Sequence, residues 1–193
     1  SLPGVSSGSS NGGFSGGTNG YVGFDALGNQ LGGSGQVNFY TDINSTNQQG
    51  FTMAANQGKT AYEDALNLLS NQDEYDINMI LIPGVIDEIH SAIVTKAIDV
   101  CEDRGDVFLV YDNTLKTDTV STAKSNTEAR NSSFAATYYP HVQIQDASLG
   151  TFRYVPPSVV IAGVYHFNDT IGQPWFAPAG LNRGGIDSAV QAY

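Results

Sequence analysis

Few residues in this chain have the type and spacing for chemistry, and most stand where the chemistry is hard to run. The nucleophile signature G-x-S-x-G occurs twice, around Ser10 in "GSSNG" and around Ser15 in "GFSGG". Both matches fall in a glycine-serine tract, and neither follows an apolar strand and opens a helix, the geometry that exposes such a serine. Three histidines offer a general base: His90 in an amphipathic helical stretch, His141 on the wet face of a predicted strand, and His166 beside Asn168 and Asp169. A Ser158, His166 and Asp169 set can be drawn. However, Ser158 precedes His166 by eight residues on one predicted helix, more than two turns, so the two side chains do not meet. Structural histidine is the reading for all three.

Cys101 is the single cysteine, so no intrachain disulfide forms. Its place in an apolar helical stripe makes it a small buried hydrophobe. The carboxylate clusters "NQDEYD" and "GVIDEIH" match no calcium-loop pattern, and no histidine pair has i, i+4 spacing. The glycine doublets form neither phosphate-binding fingerprint. Sequons at Asn44, Asn131 and Asn168 matter only in a secreted protein. No cofactor and no metal is expected, and the chain is read as a non-enzyme.

The elements that would position any site begin at Lys59. Residues 1–58 hold most of the glycine and serine and predict loops, with short edge strands at Tyr21 to Phe24 and Val37 to Tyr40. "KTAYEDALNLLS" places Ala61, Ala65, Leu68 and Leu69 on one helical face. "INMILI", closed by Pro83-Gly84, predicts a strand covered on both faces. Ile86, Ile89, Ile93, Ala97 and Cys101 then recur at helical spacing, and "VFLVY" predicts a second buried strand, which completes a βαβ unit. Residues 112–130 are polar with a weak helical pattern, and "HVQIQD" alternates as a half-wet strand. "VPPSVVIAGVYHFND" predicts a helix that is apolar all round and buried, and "RGGIDSAVQAY" predicts the first turns of a last helix. The expectation is one α/β domain over residues 1–193. It consists of a mixed sheet with a βαβ core, helices on both faces at 59–193, and a Gly/Ser-rich loop region at 1–58.

Charge narrows the partners. Eight Lys and Arg stand against nineteen Asp and Glu, a formal net charge of -11, and no basic run is present to neutralise phosphates. Nucleic acid is therefore excluded as a partner, and docking on an anionic membrane is disfavoured. No apolar run reaches the roughly 18 residues of a membrane span.

Three ordered segments, "YYPHVQIQD", "VPPSVVIAGVYHFND" and "QPWFAPAGLNRGGI", resemble the core of contractile phage tail sheath proteins and their relatives in R-type bacteriocins. The resemblance is carried by Tyr138, Tyr139 and Pro140; by Val155, Pro156, Pro157, Ala162, Gly163 and Asp169; and by Trp175, Ala177, Pro178, Ala179 and Gly180. "FSGGTNG" at Phe14 to Gly20 resembles the family's glycine turn. Matches are dense over 59–193. His166 and Phe167 depart from the pattern and a long polar insert precedes Lys59, and the family's C-terminal linking region is expected to have no counterpart here.

The resemblance implies a structural subunit that packs in stacked rings with copies of itself around an inner tail tube protein, above a baseplate. Such rings rearrange from an extended to a contracted state as rigid bodies. It implies location in the virion tail sheath after assembly in the host cytoplasm. The -11 charge is expected to keep free subunits apart until a template recruits them, so assembly should depend on ionic strength. The chain alone is expected to be a monomer in dilute solution. Pro174 and Pro178 fix their own φ and bias Gln173 and Ala177 toward extended backbone. The segment is therefore expected to be a strut in which Trp175 and Phe176 anchor the last helix against the sheet. The readings from other classes are an α/β hydrolase using a glycine-flanked serine and a cell-surface binding module.

Overall fold

The computed structural model describes residues 21–22, 37–38, 42–48, 58–147, 150–173 and 175–193. Ser10, Ser15, the Phe14 to Gly20 turn and Pro174 lie outside the described residues. The short strands β1 (Tyr21–Val22) and β2 (Val37–Asn38) pair antiparallel, inside the two stretches expected to be extended.

The centre is a parallel sheet in the order β3-β4-β5, made of Met79–Ile86, Phe108–Asp112 and Ala135–Thr137. Its first two strands are joined by α2 (Asp87–Arg104), giving the expected βαβ unit. Alternation along the strands sorts the core into two layers. Ile80, Ile82, Leu109 and Tyr111 face α2 and α1 (Lys59–Leu69), where they meet Leu66, Ile93, Ala97, Ile98 and Cys101. Met79, Leu81, Phe108 and Val110 face the opposite way, toward Ile161 and Val164 of α4 (Ser158–Ile171). Helices therefore cover both faces, and each fully buried Ile or Val contributes about 1.5–3 kcal/mol of transfer free energy. The fold is α/β.

Local chemistry sets the ends of α2. Asp87 and Glu88 lie in its first turn and Arg104 in its last, each matched to the helix dipole. Gly105 closes it at φ 73° and donates its N–H to Cys101 O at 2.9 Å. Arg104 turns back beneath the helix. Its guanidinium donates to Leu69 O, to Tyr75 O at 2.9 Å and to both Asp106 oxygens at 2.9 Å, tying α1 and the following loop to the start of β4.

Several expectations change. The strand expected to stop at Pro83-Gly84 continues: the β3–β4 register breaks between Leu81 and Ile86 and resumes at Ile86 opposite Asp112. Proline offers no N–H to the ladder and Gly84 sits at φ 85°, so the chain bulges there and rejoins. Among the described residues the strands outside the β1–β2 pair form two sheets, one parallel and one antiparallel, rather than one mixed sheet. The second is antiparallel, in the order β7-β6-β8, from Thr151–Val155, Val142–Asp146 and Ala189–Ala192. Strand β8 replaces the predicted final helix. Ala192 and Gln191 pair with Val142 and Gln143, because so short a segment gains more from sheet pairing than from an isolated helical turn. The polar stretch does hold a helix, α3 (Val120–Glu128), started by Thr119, whose hydroxyl accepts from Thr122 N at 3.3 Å.

Candidate functional site

In parallel sheets ligands tend to sit beyond the carboxyl ends of the strands, so that edge is the first place to look for a site. Strand β4 ends there in Asp112, which is 1% exposed. Its carboxylate accepts from the Ser158 backbone N–H at 3.1 Å and from Ser158 Oγ at 2.6 Å, with a further backbone hydrogen bond from Gly84. The reason is local to α4. The residue before its first turn is Pro157, whose side chain accepts nothing, so the orphan N–H groups take their anionic cap from the neighbouring strand. Burial pushes the Asp112 carboxyl up to about 6, outweighing the hydrogen bonds that favour its charged form. Next to it, Asn113 donates to Ala123 O at 3.1 Å and Thr127 Oγ1 at 2.7 Å, and its carbonyl accepts from Asn126 at 2.9 Å. These contacts fasten β4 to α3.

Ser158, His166 and Asp169 are not brought together. Ser158 is 0% exposed and spends its hydroxyl on a carboxylate, while His166 and Asp169 lie exposed further along α4. His90 is buried against the bulge, its Nδ1 accepting from Ile86 N at 3.1 Å, and burial lowers its pKa to about 4. His141, expected on a wet face, is 6% exposed, and burial lowers its pKa as well. Its carbonyl accepts from Tyr193 N at 2.9 Å, next to the pairing of β8 with β6. Cys101 is buried as expected, and burial pushes its thiol up to about 11. Among the described residues no group of three or more His, Cys, Asp or Glu is placed to hold a metal ion.

A cavity of about 430 Å³ opens between the two sheets, lined by Asp42, Pro83, Lys116, His141, Arg153 and Tyr154 among others. Its cations already have partners. Lys116 bonds Asp42 at 2.8 Å and lies 4.9 Å from the centre of the Tyr154 ring and 5.4 Å from that of Tyr193. Arg153 bonds Asp146 at 2.8 Å. The lysine in its two-tyrosine cage connects the loop after β4 to the antiparallel sheet.

The family-like segments form a different kind of surface. Tyr139 is partly exposed and donates its hydroxyl to Asp118 O at 3.0 Å, and the Tyr139-Pro140 peptide is cis. Pro156 and Pro157 lead into α4, with Pro157 buried. Gly163 and Asp169 lie on the exposed side of that helix, and a Cβ at Gly163 would meet nothing within 4 Å. The predicted strut is corrected here. Trp175 is 77% exposed and Phe176 40%, and Ala177, Pro178, Ala179 and Gly180 are all exposed. The aromatic pair is not the anchor. The loop is held instead by Asn168, 2% exposed, whose amide donates to Phe176 O at 2.8 Å, and by a tight turn in which Gly184 N donates to Gly180 O at 2.8 Å. Gly184 is sterically required, since a Cβ there would lie 2.9 Å from Ala179 Cα.

Several of the exposed apolar side chains gather on α4 and the loop after it. Phe167 and Ile171 lie a turn apart on the outer face of α4, which is not apolar-and-buried all round as expected. Phe176 packs beside Gly172, and Trp175 meets Phe176 edge to face at 6.5 Å between centres. Leu181, 101% exposed, and Phe167 line one groove. Spacing had pointed to α4, but only the packing says which side of it is covered. No protein-family model matches this chain, and no curated protein matches it either.

Proposed function

We propose that this chain is a structural subunit of a contractile tail sheath, in a bacteriophage or a related injection machine. Its partners are then copies of itself in stacked rings, the inner tube protein and the baseplate, and its place is the virion tail. The observation that carries the reading is where apolar surface is left uncovered. Phe167, Trp175, Phe176 and Leu181 fall within the segments that bear the sheath-like motifs, and Ile171 lies between two of them. A run of large exposed apolar side chains on an otherwise well-packed α/β body marks a contact surface. A body whose core is closed on both faces of its sheet is suited to being repositioned as a unit.

The reading requires no cofactor and no catalysis. With a net charge of -11, free subunits repel one another, and a tube template recruits them. The test is assembly with the tube protein of the same machine, followed by negative-stain electron microscopy at several salt concentrations. Striated sheaths whose yield changes with ionic strength are expected. Bare tubes at every salt concentration tested would overturn the reading, and so would labelling of Ser10 or Ser15 by an activity-based serine probe.

A further inference from the structure

The same chain carries an exposed apolar knob and an apolar groove that its own knob does not fill. The groove, about 380 Å³, runs between α4 and residues 181–188 and is lined by Val160, Gly163, Val164, Phe167, Leu181 and Ile186 among others. Gly163 leaves its floor open, because nothing lies within 4 Å of where a Cβ would stand. The knob is Trp175, absent from the groove lining and 77% exposed. It is presented firmly: the ring of Phe176 stands edge to face beside it and is covered by the Arg183 guanidinium at 4.7 Å. The Phe176 carbonyl is in turn held by buried Asn168.

We propose that the groove along α4 receives Trp175 of a second copy of this chain, in a head-to-tail contact. The inference rests on the reading of the chain as a self-assembling subunit and gives that reading one particular contact. Three observations favour a second copy as the occupant. Knob and hole are both apolar and occur on one chain, and a complementary pair of unlike surfaces is what generates rings or helical stacks rather than closed dimers. A buried indole removes about 150–250 Å² from water. On the facing copy the same contact would cover Phe167, 47% exposed, and Leu181, 101% exposed, which line the groove. The knob is uncharged and the groove lining carries one charged group, Asp187, so two bodies of net charge -11 meet there with a single carboxylate at the contact. The contact is expected to be weak for a single pair and to gain from repetition in an assembly.

The test uses two single substitutions in the full chain, A177C beside the knob and S188C at the groove rim. Both sites are exposed, and Cys101 stays silent because it is fully buried with its thiol pushed up to about 11. With a short bismaleimide, mixing the two variants should yield at least tenfold more crossed dimer than either variant alone. The yield should rise severalfold between low and high salt as repulsion is screened. Adding W175S to the first variant, or G163L to the second, should return cross-linking to background with far-UV circular dichroism unchanged. Dimers of each variant with itself, or crossed dimers indifferent to W175S, would overturn the proposal. So would a thiol that stays unreactive in the monomeric S188C variant, which would mean that the chain's own residues cover the groove. Striated sheaths formed undiminished by the W175S protein would overturn this contact and leave the sheath reading standing. Failure of the unaltered chain to form sheaths, with crossed dimers intact, would remove the sheath reading alone.

Discussion

On the inner face of α2, Ile93, Val94, Ala97 and Cys101 are wholly out of water, while on the outer side of α4 Phe167 and Ile171 keep about half their surface in it. Both helices pack on the same parallel sheet, and both carry apolar residues at helical spacing. The difference is in what lies beyond. Helix α2 has α1 beside it and turns polar residues such as Glu88, Ser91 and Asp99 to water, whereas the far side of α4 carries Phe167 and Ile171 next to the 175–188 loop, which leaves a groove. One region completes its own packing, and the other presents a surface.

The comparison breaks first at the core. Ile93→Ala removes three heavy atoms from a site with 0% exposure and should cost about 4 kcal/mol, read as a fall in the urea midpoint with unchanged slope. A cost below about 1 kcal/mol would mean that α2 is not the closed side. Next in size is the ion pair at the start of α2. Arg130 donates to both Asp87 oxygens, to Thr95 Oγ1 at 2.8 Å and to Ser91 Oγ at 3.0 Å, and Asp87 is 7% exposed. Arg130→Met strands that carboxylate, and a loss of about 3 kcal/mol is expected in chemical denaturation. Asp87→Asn in the same background should recover part of it.

The third test concerns the joint between the two regions, the Asp112 cap on α4. Its folded pKa of about 6 lies above the ordinary aspartate value of 3.8. Below the lower value both states hold the proton, and between the two the folded state keeps a proton that the unfolded chain has lost. Stability from this group is therefore fully present below about pH 4 and declines as pH rises through 6, by about 3 kcal/mol at most. His90 works the other way: lowered to about 4, it costs stability as pH falls below the ordinary histidine value. The useful quantity is the difference between wild type and Asp112→Asn across pH 4 to 7. That difference should slope downward with pH and flatten above 6, and a flat difference throughout would show the carboxylate to be solvated.

How much of this was legible in the sequence depends on how far apart the cooperating residues lie. The strand around Ile80, helix α2 and the strand around Leu109 read directly, because an apolar run and a helical repeat are local signals. Strands β7 and β8 did not, since Phe152 and Val190 have no periodic context and acquire strand geometry only by pairing with β6. The Asp112 cap joins residues 46 apart, and no local pattern marks it. The polar hook Asn168 stands beside His166 in the sequence, and its position one turn after Val164 puts it on the buried face. Trp175 shows the opposite failure: aromatic content and flanking prolines announce a constrained aromatic segment, but they do not say whether its cover comes from the same chain.

The smallest expected effect is the one that sharpens the comparison most. Trp175→Ser changes a side chain that is 77% exposed, and Leu181→Ser one that is fully exposed, so each should move the folding free energy of the isolated chain by no more than about 0.5 kcal/mol. Asn168→Ala at the base of the same loop should cost about 1–2 kcal/mol, because it frees the Phe176 carbonyl and loses a bond from a buried amide. Matched urea titrations of the three variants separate the contributions. If Trp175→Ser proved as costly as Ile93→Ala, the indole would be covered within its own chain, and the α4 side would be a second closed core. If it proved silent while Asn168→Ala did not, the loop is held from beneath by hydrogen bonds and the aromatic pair faces outward, where its apolar area stabilises nothing until another molecule covers it.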